Sequence, residues 1–155
     1  MSVDTEDPVE RLRDLLERIA GTAGVEVSVE IQDGADGLTA EYVGEDVALL
    51  IGRHGETIDA IQHLAYRIAM HGVAERRSVT VDAAGYRERR NATLRSAADR
   101  AAESAVSQRR AVPLEVMNAL ERKVIHEHLK ARHDVETYSE GQEPSRHLVV
   151  APLVD

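Results

Sequence analysis

Cysteine is absent from the 155 residues, which removes disulfides, thiolate metal sites and a Cys nucleophile from consideration. Tryptophan and phenylalanine are missing too, and four Tyr are the only aromatic residues. The core must therefore be aliphatic, and there are too few rings for a surface that grips single strands by stacking base after base. No apolar run approaches the ~20 residues that cross a bilayer, so membrane insertion is not expected. The opening Met1-Ser-Val-Asp-Thr-Glu-Asp7 is acidic and lacks the apolar centre of a secretory signal. These absences fit a cytoplasmic protein.

Positive charge is scarce overall, with 19 Lys and Arg against 28 Asp and Glu, and it is unevenly spread. Residues 1–50 carry three Arg and thirteen acids, whereas residues 51–100 carry nine Arg and six acids. The last 55 residues hold seven Lys and Arg and nine acids. An anionic partner should meet the middle third, and the acidic remainder should suppress indiscriminate binding.

A chain of this length suits one ordinary domain or two small ones. Asp7-Pro8 reads as an N-cap followed by Pro at the first helical position. Val9, Leu12, Leu15, Leu16 and Ile19 then keep helical spacing until Gly21. Val25, Val27, Val29 and Ile31 alternate as a half-buried strand. Turn residues at 33–37 lead to a second strand over 38–43, giving a hairpin. The short apolar run 47–51 is broken by Gly52-Arg-His-Gly55. A helix over 56–70 follows, with Ile58, Ile61, Leu64, Ala65 and Ile68 expected on its apolar face. Val79 and Val81 mark a third strand, so this part reads α-β-β-α-α-β, a sheet with helices on one side. A long Ala- and Arg-rich helix is predicted over 86–109. A further helix is predicted over 114–130, carrying Leu114, Met117, Leu120, Val124, Ile125 and Leu129. Short strands are predicted at 135–138 and 147–151, joined by a loop.

Three clusters bear on chemistry. Gly52-Arg-His-Gly55 opens an amphipathic helix, where small residues let a polymer backbone approach and unpaired helix-entrance N–H groups favour phosphate. Arg53 adds charge, His54 can donate a hydrogen bond, and Ile51 and Ile58 could line a groove for bases. A helix entry that merely needs small residues explains the bare motif equally. The pattern is not a P-loop, because Gly-x4-Gly-Lys-Ser/Thr is missing. In Glu121-Arg122-Lys-Val-Ile-His126, Arg122 and His126 are four apart and share a helical face. They could hold one phosphate or one unpaired nucleotide, or the segment could be a solvated exterior. Arg76, Arg77, Arg87, Arg89, Arg90 and Arg95 form a local positive stretch that could track a phosphate backbone, with Arg87, Arg90 and Lys123 as candidate phosphate contacts. The alternative is a helix exterior balanced by Glu88 and Asp99. A metal site is rejected: His126-Glu127-His128-Leu-Lys130 has Lys where a second zinc-binding His would stand. No cofactor is expected.

In order, these pieces resemble the Jag family of bacterial proteins. The resemblance is carried by Leu50-Ile-Gly-Arg-His-Gly-Glu-Thr-Ile-Asp-Ala-Ile-Gln-His-Leu64, Tyr86-Arg-Glu-Arg-Arg90, Leu120-Glu-Arg-Lys-Val-Ile-His126 and Thr137-Tyr-Ser-Glu-Gly-Gln-Glu-Pro-Ser-Arg146. It implies an α+β chain: a disordered acidic lead over 1–7, a type II KH-like domain over 8–84, and a small α/β R-3-H domain over 85–155. It makes Gly52, Arg53, His54 and Gly55 the KH loop, and Arg122 and His126 the R-3-H pair. It implies binding of single-stranded RNA, with single-stranded DNA as the variant ligand, and no catalysis. Partnership with a second small KH-domain protein follows, as does post-transcriptional regulation linked to cell elongation and shape, envelope growth or sporulation. The extra N-terminal domain of many Jag proteins is expected to be missing. Two other classes stay open on the residues alone. One is a protein-interaction adapter to which RNA is incidental. The other is a hydrolase using His126 with Glu121, for which no nucleophile, metal set or oxyanion site is apparent.

Overall fold

The computed structural model describes residues 7–154. Residues 1–6, most of the segment expected to be disordered, lie outside the described residues. Asp7, the last of that segment, caps a helix: its carboxylate accepts from the Val9 N–H at 3.1 Å. The chain divides into two compact units, the first ending at Arg87 and the second beginning at Glu88.

Unit 1 opens with α1, Pro8–Ala23. It runs past Gly21 and stops at Gly24, whose φ of 72° is the left-handed conformation that glycine adopts without a Cβ penalty. The Val25 N–H turns back to the Ala20 carbonyl at 2.9 Å. Val25 therefore finishes the helix instead of starting the strand, and β1 begins three residues later than the alternation implied, at Ser28–Gly34. β2, Gly37–Val43, pairs with it antiparallel, from Ser28 opposite Val43 to Gly34 opposite Gly37. β3, Ser78–Ala83, adds on parallel to β2. Val29, Leu38, Ala40, Tyr42, Val79, Val81 and Ala83 are buried beneath α1 and α3 (Glu56–Ala69). The other face of the sheet is polar, as period-two alternation requires. On α3 the buried stripe is Ile58, Ile61, Ala65 and Ala69. Leu64 and Ile68, expected on that stripe, are 48% and 39% exposed. Spacing alone could not choose between 64 and 65 or between 68 and 69, and the smaller residue of each pair went inward.

Burial has one titratable consequence. The Tyr42 hydroxyl donates to the Leu16 carbonyl at 2.7 Å within the core, and desolvation pushes its pKa well above the ordinary tyrosine value of 10.0. The folded state thus holds this proton more tightly than the unfolded chain does. The resulting stability is fully present below about pH 10 and is lost as pH rises beyond it, by up to ~1.4 kcal/mol per pH unit. Urea titrations followed by circular dichroism between pH 9 and 11 should show the midpoint of unit 1 falling, and Tyr42→Phe should flatten that fall.

Unit 2 is built on α4, Tyr86–Gln108, whose buried residues beyond Leu94 are the small Ala98, Ala101, Ala102 and Ala105. The expected helix from 114 is a strand at first: β4, Val112–Val116, pairs antiparallel with β6, His147–Pro152. Pro113 is tolerated because β4 lies at the edge of the β4-β6-β5 sheet. α5, Ala119–Leu129, starts only after Asn118, whose side chain accepts from the Glu121 N–H at 2.9 Å. Leu114 is therefore a strand residue, and Leu120 is 71% exposed. β5, Val135–Glu140, pairs with β6, and Ile125, Leu129, Val135, Leu148 and Val150 close the core with α4.

Candidate nucleic-acid interface

The apolar run before the glycines is a single turn of helix, α2, Ala48–Ile51. Gly52 ends it at φ 71°, ψ −174°, a region essentially restricted to glycine. A Cβ there would meet the Thr57 Oγ1 and stand 2.8 Å from the Thr57 Cβ. A 3-10 turn, Arg53–Gly55, follows, with His54 at φ 53°. Gly55, at φ 79°, opens α3 and is buried against the Tyr86 ring, where a Cβ would lie 2.6 Å from Cε1. The two glycines thus fold the loop tightly, closing it at the root and leaving Arg53 and His54 exposed at the tip.

The electrostatics differ from the expected row of free amides. The Gly52 N–H donates to Ala48 O at 3.0 Å, the Gly55 N–H to Gly52 O at 3.4 Å, and the Glu56 N–H to Arg53 O. The Gly55 and Glu56 amides at the α3 entrance are therefore spent within the loop, and the exposed tip presents the side chains of Arg53 and His54. Neither the Arg53 guanidinium nor the His54 ring has a hydrogen-bond or ion-pair partner among the described residues. Ile58, expected to line a groove for bases, is fully buried, and Ile51 is only partly so.

The arginines expected to reach phosphate are largely committed to the protein itself. Arg87 donates from Nη1 to Asp59 at 2.7 Å, and from Nε and Nη2 to the Val81 carbonyl at 3.0 and 2.9 Å. Arg90 Nε meets Glu121 Oε1 at 2.8 Å with both side chains mostly buried. That pairing also takes up the carboxylate weighed beside His126 for hydrolysis. Arg122 is 8% exposed and donates to the Met117 carbonyl at 2.7 Å and to Glu143 at 2.5 Å. Arg122 therefore ties the start of α5 to the β5–β6 loop and supplies the wall of a site more than a free charge.

That wall bounds an open concavity of about 410 Å³ within unit 2. One turn after Arg122, His126 sits half-buried with Nδ1 2.5 Å from the Thr137 Oγ1. Helical spacing does bring Arg122 and His126 to one face, as expected. Lys123 and the largely exposed Tyr138 also border the space, as does Arg146, whose Nη1 donates to Gly141 O at 2.6 Å. Spacing does not single out Tyr138 and Arg146. They stand at position two and at the end of the 137–146 stretch of the family resemblance, which is the signal that points to them. Lys123, His126 and Tyr138 together offer a cation, a hydrogen-bonding ring and an aromatic face.

Comparison with known proteins agrees with this division. Residues 9–82 match the KH domain of the KhpA/KhpB type, and residues 92–152 match the R-3-H domain. The chain is 33% identical to the RNA-binding protein KhpB of Bacillus subtilis (strain 168) over 151 residues, covering 96% of this chain and 73% of that protein. It is 38% identical over 146 residues to the RNA-binding protein KhpB of Lactiplantibacillus plantarum, covering 94% of this chain and 45% of that one. The corresponding protein of Clostridium symbiosum is 35% identical over 127 residues, 82% of this chain and 57% of its own length. The chain thus spans between about half and three-quarters of these relatives.

Proposed function

The chain belongs to the KhpB (Jag) family, and from that premise we propose that it binds single-stranded RNA, with no catalytic step. The observation that carries the reading is the Gly52–Gly55 loop, which exposes Arg53 and His54 at its tip, neither with a partner among the described residues. The relatives are named as RNA-binding proteins. The KH loop holds phosphates through Arg53 and His54. The concavity of unit 2 is a second anchor, with Lys123 on phosphate and Tyr138 and His126 against a base, while Arg122 keeps its shape. Two weak anchors on one chain reinforce each other through effective concentration.

The test is fluorescence anisotropy with short unpaired RNA across a salt series. Replacing Arg53 and His54 together by Asp should weaken binding by about 30-fold or more and lower the salt slope by about 0.7 for each phosphate no longer engaged. Because both side chains are exposed, the melting curve should stay within the small range of surface changes. Wild-type affinity in that variant would remove the loop from the site.

The family tie extends the proposal to a bacterial cytoplasmic regulator of transcripts concerned with elongation, envelope growth or sporulation. A second reading, pairing with another small KH-domain protein, is favoured by the exposed Leu64 and Ile68 on α3. Recovery of such a partner from nuclease-treated extract, abolished on changing both residues to Ser, distinguishes pairing from tethering by RNA.

A further inference from the structure

A strand at the edge of a sheet points N–H and C=O groups sideways, and an unpaired base offers matching acceptors and donors on its own edges. In unit 1 the order β1-β2-β3 leaves β3 at such an edge. At Val81 that edge is already occupied. The Val81 N–H donates to Gln62 Oε1 at 2.9 Å, and the Val81 carbonyl accepts from Arg87 Nε and Nη2. Arg87 Nη2 also reaches Gln62 Oε1 at 3.1 Å, and Nη1 reaches Asp59, so the side chains close into a clamp. Toward the end of the strand, the Ala83 N–H is taken by Asp82 Oδ1 at 2.8 Å.

The clamp lies beside the loop. Tyr86, next to Arg87, packs on Gly55. Asp59 and Gln62 stand four and seven residues beyond Gly55 on α3, or about 6 and 10 Å along the axis. A chain of about four nucleotides, the span a KH loop clamps, covers that distance. Asp59, Gln62 and Arg87 are all half-buried, so a base can come up to the clamp from solvent. It then finds the Val81 pair used, and the Arg87 charge matched by Asp59.

Resting on the RNA reading above, we propose that Gln62 and Arg87 determine specificity by occupying the backbone pair through which a base would be read. Unit 1 then holds the sugar-phosphate chain with little regard to base identity. Removing the clamp turns the same edge into a base-reading surface.

The experiment uses the whole chain and short homopolymer RNAs of adenosine, cytidine and uridine at fixed salt, with anisotropy as the readout. The wild type should bind all three within about threefold. Gln62→Ala and Arg87→Ala should each raise the largest ratio to about tenfold or more, the scale of one or two neutral hydrogen bonds. Unchanged ratios in both variants overturn the proposal. So does a wild type that already discriminates tenfold and is flattened by either change, since Gln62 and Arg87 would then be reading bases themselves. Should Arg87→Ala melt unit 1, the neutral Gln62→Ala decides alone. Binding by the variants but not the wild type also overturns it, since the wild type would then not be holding the sugar-phosphate chain at all. No binding of any RNA by all three proteins overturns the RNA reading, and the clamp's role with it.

Discussion

Replacing Gly52 by Ala is expected to destabilise unit 1 by about 3 kcal/mol or more. Two effects add. The backbone at φ 71°, ψ −174° lies where residues with a Cβ pay on the order of 1–3 kcal/mol. The added methyl also collides with Thr57, including its backbone nitrogen at 3.0 Å, and overpacking typically costs about 1–3 kcal/mol more. Thr57 belongs to the first turn of α3 and cannot retreat without moving the helix entrance. Gly55→Ala should cost less, about 1–2 kcal/mol, because its left-handed conformation is open to other residues and the atoms it meets are the outer part of the Tyr86 ring. Against a domain stability of roughly 5–15 kcal/mol, the first change is a large fraction of the total. Urea denaturation of the two variants should rank them in that order, and a loss below about 1 kcal/mol for Gly52→Ala would contradict the loop geometry.

Truncating Arg122 to Ala should destabilise unit 2 by about 2–4 kcal/mol. The change leaves the Met117 carbonyl without its side-chain donor, removes the partner of Glu143, and opens a void where a side chain of 9% exposure had been. Arg122→Lys should recover only part of this, since an ammonium cannot reproduce a two-direction planar fork. Glu143→Ala should cost less than about 1 kcal/mol, because that carboxylate is largely exposed and water can take its place on the Arg122 guanidinium. Thermal melts of the three variants, read alongside RNA affinity at a temperature where each is folded, separate support from direct binding. An Arg122→Ala protein of undiminished stability but abolished affinity would reverse the assignment and make Arg122 a ligand group.

Much of unit 1 can be read from sequence because its signals are local. The hairpin announces itself by turn residues between alternating strands, and α3 by its apolar spacing. Unit 2 is harder at one place. Leu114, Met117 and Leu120 keep helical spacing by coincidence across β4 and a cap, and Asn118 with Glu121 three residues on is the true start signal. The Gly52–Gly55 loop and the Arg122–His126 pair are visible as spacings. What spacing cannot reveal is where each arginine spends its donors. Arg90 meets a carboxylate 31 positions away, Arg122 one 21 away and Arg87 one 28 away. Those pairings are set by the fold, and a run of basic residues looks the same whether its charges are matched or bare.

The three hydrogen bonds on Val81 also bear on how the molecule behaves in a crowd. A terminal strand with open main-chain groups is a template on which a neighbouring chain can lay down its own strand, the first step toward aggregates. With Gln62 and Arg87 seated there, that template is interrupted at its middle, and a foreign strand would have to dislodge a charged side chain held at several points before it could register.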